Sequence, residues 1–149
     1  IYVYDRPGMS TTDIDAVLEE HDDVYLVGLN VLDKVNGFYK LSEVERFRKL
    51  AEWGRNVAKG NRTVFAIVQA DASAEGIQYM NQAQVYGSKT GVQGEADVMI
   101  MIGRDDTVPD KRYFSIAKNK KPTTGRMESA FKHGRFECHF EEEIGRFTS

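Results

Sequence analysis

The sequence predicts an α/β domain: a largely parallel sheet flanked by helices, with antiparallel strands added towards the C-terminus. Three observations carry that prediction. "DVYLVGLNVL", "TVFAIVQ" and "DVMIMIG" are nearly continuous β-branched and apolar runs, the pattern of strands covered on both faces. The stretches before the first two carry apolar residues at helical spacing, which places helices between strands. From about residue 111 onward, strand-like segments follow one another with no room for helices, and such neighbours pair antiparallel.

Taken in order, "IYVYD" alternates β-branched and aromatic residues and stops at "RPG", where proline sets φ and glycine permits a positive one; a short strand and a turn are expected. "STTDIDAVLEEH" supplies hydroxyl or acidic caps and the stripe Ile14, Val17, Leu18, so a helix follows. Next comes the run at 23–32, expected as a central strand. Ser42 and Glu45 then form a capping-box pair that opens a longer helix with Val44, Phe47, Leu50, Ala51, Gly54 and Val57 on one face, ended by "KGN" at 59–61. "TVFAIVQ" is the second buried strand and ends on Gln69; "DVMIMIG" is the third, followed by Arg104. "RYFSIAKNK", "MESAFKH" and "FECHF" complete the sheet as antiparallel strands. The predicted order is β-α-β-α-β-(α)-β-β-β-β.

Composition narrows function without naming it. A chain of 149 residues fits one domain, and 41% apolar with 29% charged residues and a net charge of −3 describes an ordinary globular protein, not a disordered tail or a strongly basic nucleic-acid binder. The single cysteine, Cys138, excludes an intrachain disulfide and a cysteine-rich zinc site. No apolar run approaches the roughly 20 residues that span a bilayer, and the first residues lack the basic-then-apolar plan of a signal peptide, so no membrane partner and a cytoplasmic setting are expected. Because the first residue is Ile1, the chain is expected to be processed or cut from something longer. His21, His133 and His139 have no mutual spacing that makes a metal site, and no Ser-His-Asp or Cys-His arrangement is present.

Open α/β sheets bind ligands at the carboxyl ends of their parallel strands. Those ends hold Asp5; Asn30 with Asp33; Gln69; and Arg104 with Asp105. A carboxylate there can hold Mg²⁺ through water, and an amide on the adjacent strand can sense a phosphate oxygen. Polar residues also stand at strand ends simply because solvent begins there. A second candidate is "AKNKKPTTGR", with Lys118, Lys120, Lys121 and Arg126 and no acid between them. Lys118 and Lys120 alternate along a strand and could present two ammonium groups to one polyphosphate; a solvated basic hairpin is the other reading. A third is "GSKTGVQGEAD", whose glycines, hydroxyls and amide could line a phosphate or a nucleic-acid backbone or act as a plain connector. No G-x-x-x-x-G-K-[ST] loop occurs anywhere in the chain.

Together these pieces resemble the C-terminal part of the RecA-like motor domain of hexameric replicative helicases, of the DnaB and phage primase-helicase type. "IYVYDRPGMSTTDIDAVL" is similar to the family's strand, "D-x-P-G" turn and following helix; "DDVYLVGLNVLDKV" to its Walker B strand; "FAIVQA" to the strand ending in the γ-phosphate-sensing glutamine. "VYGSKTGVQGEADVMIMIGRD" resembles "L-R-x-S-G-x-I-E-Q-x-A-D" before an apolar strand and "x-R-D", and "IAKNKKPTTG" resembles "A-K-x-R-x-G-x-T-G", which reaches the neighbouring subunit's ATP site. The resemblance implies that residues 1–149 are a partial RecA-like ATPase domain, running from the Walker B region to the trans-acting basic hairpin. It further implies a ring-shaped homo-oligomeric parent, a hexamer, binding ATP and Mg²⁺ between subunits and moving along single-stranded DNA, in the host cytoplasm if phage-encoded.

By the same resemblance Gln69, Lys118 and Lys120 would be catalytic, Asn30 and Asp33 would face the nucleotide, Asp33 would serve the metal, and Lys34 and Lys40 would bracket a DNA-contacting loop at roughly 34–40. A second such loop would span roughly 70–79. The glycines at 87, 91 and 94 would let the backbone turn near the subunit interface. The departures are specific. The family's Walker A loop and catalytic glutamate lie before the "D-x-P-G" strand, where this chain begins. Asn30 stands where the family has its Walker B aspartate, Lys120 where it has the trans-acting arginine, and the second loop carries Asp71 and Glu75 but no lysine. The isolated chain is therefore expected to be inactive, with a degenerate, non-catalytic module for assembly or DNA binding as the alternative.

Overall fold

The computed structural model describes residues 1–86, 89–120 and 133–148, with 89 and 90 described in their backbone alone. The chain divides into two compact units: Ile1–Gln69 with Tyr86–Glu95, and Ala70–Val85 with Ala96–Ser149.

In the first unit, α1 (Thr11–Glu20) starts at Ser10, whose hydroxyl accepts from the Asp13 amide while Asp13 Oδ2 accepts from the Ser10 amide at 2.8 Å. The same reciprocal box at Ser42 and Glu45 starts α2 (Glu43–Lys59). Each box satisfies helix-end amides that have no partner inside the helix. Between them β1 (Leu26–Leu29) pairs in parallel with β2 (Thr63–Ala66), in the register Leu26 to Thr63 through Leu29 to Ala66. The core gathers Leu18, Val27, Leu29, Leu32, Val35, Phe47 and Leu50; Leu50 is fully buried. Two polar ties fasten the helices: Trp53 Nε1 donates to Asp15 Oδ1 at 3.0 Å, and the Arg62 guanidinium donates to the carbonyls of Leu18 and Val24.

The last piece of this unit, α3 (Lys89–Glu95), is the helix that the predicted order places between the second and third apolar runs; Gly91 and Gly94, expected to let the backbone turn, lie inside it. It packs against α2; Gly91 and Val92 are buried, and Arg55 Nη1 donates to the Glu95 carbonyl at 2.6 Å. Gly87 and Ser88 lie outside the described residues.

The second unit is a four-stranded antiparallel sheet, β3 (Val98–Gly103), β4 (Lys111–Asn119), β5 (Arg135–Glu141) and β6 (Arg146–Thr148), in sequential order. The segment 70–85 lies against it: Ser115 Oγ donates to the Met80 carbonyl at 2.6 Å, and Gln82 Nε2 donates to the Ala117 carbonyl at 2.9 Å. Met80, Val85, Met99, Met101, Tyr113 and Cys138 are buried.

Four expectations are corrected. Residues 1–5 form no strand; regular pairing in that region is confined to the single bridge between Ser10 and Asn36, and Tyr2 stacks instead on His21 with ring centroids 4.0 Å apart. The run 23–32 is a strand only over four residues, and its burial alternates, so one face of it is covered. The parallel sheet has two strands; β3, expected as the third, pairs antiparallel with β4. An apolar run reports burial and not direction of pairing, which explains that error. Finally, β6 escaped notice because three residues after the turn at Gly145 (φ +61) are too few to show a pattern. "MESAFKH", Lys121 and Arg126 lie outside the described residues, apart from His133.

Candidate nucleotide edge and nucleic-acid loop

The parallel register brings the carboxyl ends of β1 and β2 to one edge of the sheet. There the Ile67 amide donates to the Leu29 carbonyl at 2.9 Å and the Leu32 amide returns a bond to the Ile67 carbonyl at 2.9 Å, so the ladder continues past both strands. Asn30 begins the turn out of β1, and the Asn30–Val31 peptide bond is cis. Asp33 and Lys34 follow in a short 3-10 turn, Leu32–Lys34. Gln69 lies three residues beyond β2, exposed, with its carbonyl accepting from the Tyr86 amide at 3.1 Å. Asn30, Asp33, Lys34 and Gln69 therefore belong to one edge.

Tyr86 ties this edge to the start of α2. Its hydroxyl donates to Glu43 Oε1 at 2.8 Å. That hydrogen bond, then the Glu43 charge and a smaller contribution from Asp33, push the phenol above its ordinary pKa, because a neighbouring carboxylate opposes a second negative charge.

Asp33 is the carboxylate on which a metal would depend. Its Oδ1 is buried with no hydrogen-bond partner, and its Oδ2 sits 3.2 Å from Lys34 Nζ. The unpartnered Oδ1 keeps its lone pairs free, but Asp33 is a single carboxylate already paired with Lys34, and Asn30 brings no charge. No group of three or more His, Cys, Asp or Glu side chains able to hold a metal ion occurs among the described residues. A hard cation such as Mg²⁺ needs oxygen ligands in near-ideal geometry, so these residues do not make a Mg²⁺ site by themselves, and no step below runs through one.

The segment from Lys34 to Lys40 is a pinned loop. Arg46, one turn into α2, donates to the carbonyls of Asp33 at 2.8 Å and Val35 at 3.0 Å. Asn36 bridges to the start of α1: its amide donates to the Met9 carbonyl, its carbonyl accepts from the Thr11 amide, both at 2.9 Å, and its side-chain amide donates to the Gly8 carbonyl at 2.5 Å. Gly37 follows at φ +151 beside Thr11, and Phe38 stands at φ +58, a left-handed conformation that costs a non-glycine residue about 1–2 kcal/mol. Beyond it Tyr39 and Lys40 are exposed. Arg46, Asn36, Phe38 and Tyr39 were not singled out from the sequence. The aromatic pair between two lysines was a visible signal; the two arginine bonds to backbone carbonyls left none.

Lys118 and Lys120 belong to the second unit. β4 ends at Asn119, so Lys118 lies within the strand, opposite Met99, and Lys120 lies just past it, its amide donating to the Asp97 carbonyl at 2.8 Å. A register shift between Met99 and Ile100 falls opposite the step from Ile116 to Lys118, before both lysines. From Lys118 to Lys120 the pairing runs in step, Lys118 with Met99, Asn119 with Val98 and the Lys120 amide with the Asp97 carbonyl, which is the two-residue spacing of the expected alternation. In the segment 70–79, Asp71 caps the short turn Ala72–Ala74 by accepting from the Ser73 amide at 2.8 Å, and Gly76 takes φ +71.

No protein-family model and no curated protein matches the chain. Among solved structures it is similar in fold to one described as "The structure of a DnaB-like replicative helicase and its interactions with primase". The TM-score is 0.82 at 17% identity, over 99% of this chain and 37% of the other. The chain thus has the fold of part of a DnaB-like replicative helicase and spans little more than a third of that protein's length. Among the described residues no helix is long and apolar enough to cross a membrane.

Proposed function

We propose that the chain is a segment of an ATP-dependent replicative DNA helicase of DnaB or phage type, the C-terminal part of its RecA-like domain. Its parent would be a hexameric ring that hydrolyses ATP, with Mg²⁺, between subunits to move along single-stranded DNA. The observation that carries this reading is the fold likeness over 99% of the chain to a DnaB-like helicase, in combination with the order of the sequence motifs. In the parent, Gln69 would report the γ-phosphate from the edge it shares with Asn30, Lys118 and Lys120 would stabilise charge on the neighbouring subunit's nucleotide, and the loop bracketed by Lys34 and Lys40 would contact DNA. ATP and Mg²⁺ belong to the whole ring in this reading, since the sequence carries no G-x-x-x-x-G-K-[ST] loop and the described residues hold no carboxylate set for the metal.

Asn30 favours a second reading, a degenerate module kept for assembly or DNA binding, because a neutral amide cannot supply the Walker B charge. The coding sequence upstream of Ile1 separates the two: a G-x-x-x-x-G-K-[ST] within about one βαβ unit supports the helicase.

The direct test is ATP hydrolysis by the chain, alone and with single-stranded DNA, beside Asn30→Asp. Both should be silent; turnover by either would mean that the nucleotide site is elsewhere. In the longer ring protein, Lys120→Ala should lower ATP turnover and leave nucleotide binding nearly unchanged, whereas equal loss of both would speak for a role in folding or assembly.

A further inference from the structure

We infer that Phe38 and Tyr39 form a base-stacking platform for single-stranded DNA, set between two lysines that take the flanking phosphates. The inference deepens the nucleic-acid part of the proposed function and rests on it. A DNA-contacting loop held only by charge would need no aromatic residues, and this one has two.

Accessibility is the first support. Tyr39 is 71% exposed and Phe38 37%, so a base can reach both side chains. Backbone conformation is the second. Phe38 holds a left-handed φ of +58, which a bulky residue adopts only where the surroundings impose it, and Gly37 before it supplies the sharp approach at φ +151. The third is rigidity. Arg46 holds the carbonyls of Asp33 and Val35, Asn36 is bonded to Gly8, Met9 and Thr11, and the Leu41 amide closes the turn on the Phe38 carbonyl at 3.1 Å. A loop fixed on both sides loses little conformational freedom when a base lands on it.

Charge is the fourth. From residue 34 to residue 42 the segment carries Lys34 and Lys40 and no acid, in a chain of net charge −3. Lys40 is exposed and the Lys34 side chain is 70% exposed, with Asp33 at 3.2 Å as its local counter-ion. Proteins that hold single strands without reading sequence combine these two elements, cations for the backbone and aromatic faces for the bases. Duplex DNA, with its bases stacked inside, offers the rings nothing.

The experiment is fluorescence anisotropy of the chain with a labelled oligothymidylate, a base-free oligomer of the same length and backbone, and a duplex, over a salt series. The oligothymidylate should bind about tenfold more tightly than the base-free strand, and Tyr39→Leu should remove about that factor, leaving the two strands alike. Phe38→Leu should act in the same direction. Tyr25→Leu, an exposed tyrosine of the same unit at 77%, should change nothing. Lys34→Ala and Lys40→Ala should weaken both strands equally and flatten the salt dependence. Urea midpoints of all variants establish that they fold.

Equal, salt-dependent binding of the two strands by the wild type would overturn the stacking inference and leave the proposed DNA contact standing. A base preference that survives Tyr39→Leu and Phe38→Leu would also overturn it, since the platform would lie elsewhere. Absence of salt-dependent binding to any strand would sink the DNA-contact reading and the inference together.

Discussion

Gly103, the last residue of β3, packs so closely on Gln78 that a Cβ placed on it would overlap the carbonyl oxygens of Gln78 and Ile77. Backbone is not a flexible neighbour, so Gly103→Ala must push the two segments of the second unit apart. The Gln78 side chain, bonded through Nε2 to Asp105 Oδ2 at 2.7 Å, fastens the same junction. Gly103→Ala should destabilise the chain by about 1–3 kcal/mol, read as a lower urea midpoint. Gly94→Ala is the control: a methyl group there would meet nothing within 4 Å, and inside α3 alanine should stabilise by about 0.5–1 kcal/mol.

Ser42→Ala removes the hydroxyl that accepts from the Glu45 amide at the start of α2. A cost of about 1 kcal/mol is expected in the urea midpoint, and Ser42→Thr should recover most of it, because its hydroxyl can both accept from the Glu45 amide and donate to the Glu45 carboxylate. Equal loss in both variants would mean that the cap is not what holds this end.

Arg46→Ala strips the two carbonyls of Asp33 and Val35 of their charged donor. Hydrogen bonds to charged groups contribute about 1.5–3 kcal/mol each, so the loss should register in stability, and Arg46→Lys, which lacks the planar fork, should not restore it fully. Binding to single-stranded DNA should fall with it if the loop is the contact. Unchanged stability in Arg46→Ala would count against the pinned loop.

The pH profile of stability should fall off on both sides. Ser10 holds Asp13, Ser42 holds Glu45, Lys49 holds Glu52 and Thr107 holds Asp105, each through a side-chain hydrogen bond that lowers the carboxyl pKa in the folded state. A depressed folded pKa means that the stabilisation is complete above the unfolded value and is lost as pH falls through the folded one, so losses begin in the ordinary carboxylate range and continue below it. On the alkaline side the Tyr86 phenol is raised by its bond to Glu43 and the Lys111 ammonium by its bond to Glu137. Those contributions are complete below the unfolded values and disappear as pH rises through the folded ones. Urea midpoints across pH check both limbs, and Tyr86→Phe should flatten the alkaline one.

What the sequence determined by itself is local. Ser10 with Asp13 and Ser42 with Glu45 announce their helices because a capping box needs only residues three apart. β1, β2 and β3 are legible as apolar runs, and the antiparallel C-terminal strands from their crowding. The motif order likewise pointed to the helicase-like fold that the structural likeness supports. Tertiary structure decided the rest. An apolar run does not state which neighbour it pairs with, so only the fold assigns β3 to β4. Glycines at 91 and 94 read as a turn until the packing of α3 on α2 is known. Asn30 and Gln69 share an edge, and Arg46 and Asn36 grip the 34–40 loop, through contacts between residues distant along the chain. Such contacts depend on where the chain returns in space, which no local pattern of residues encodes.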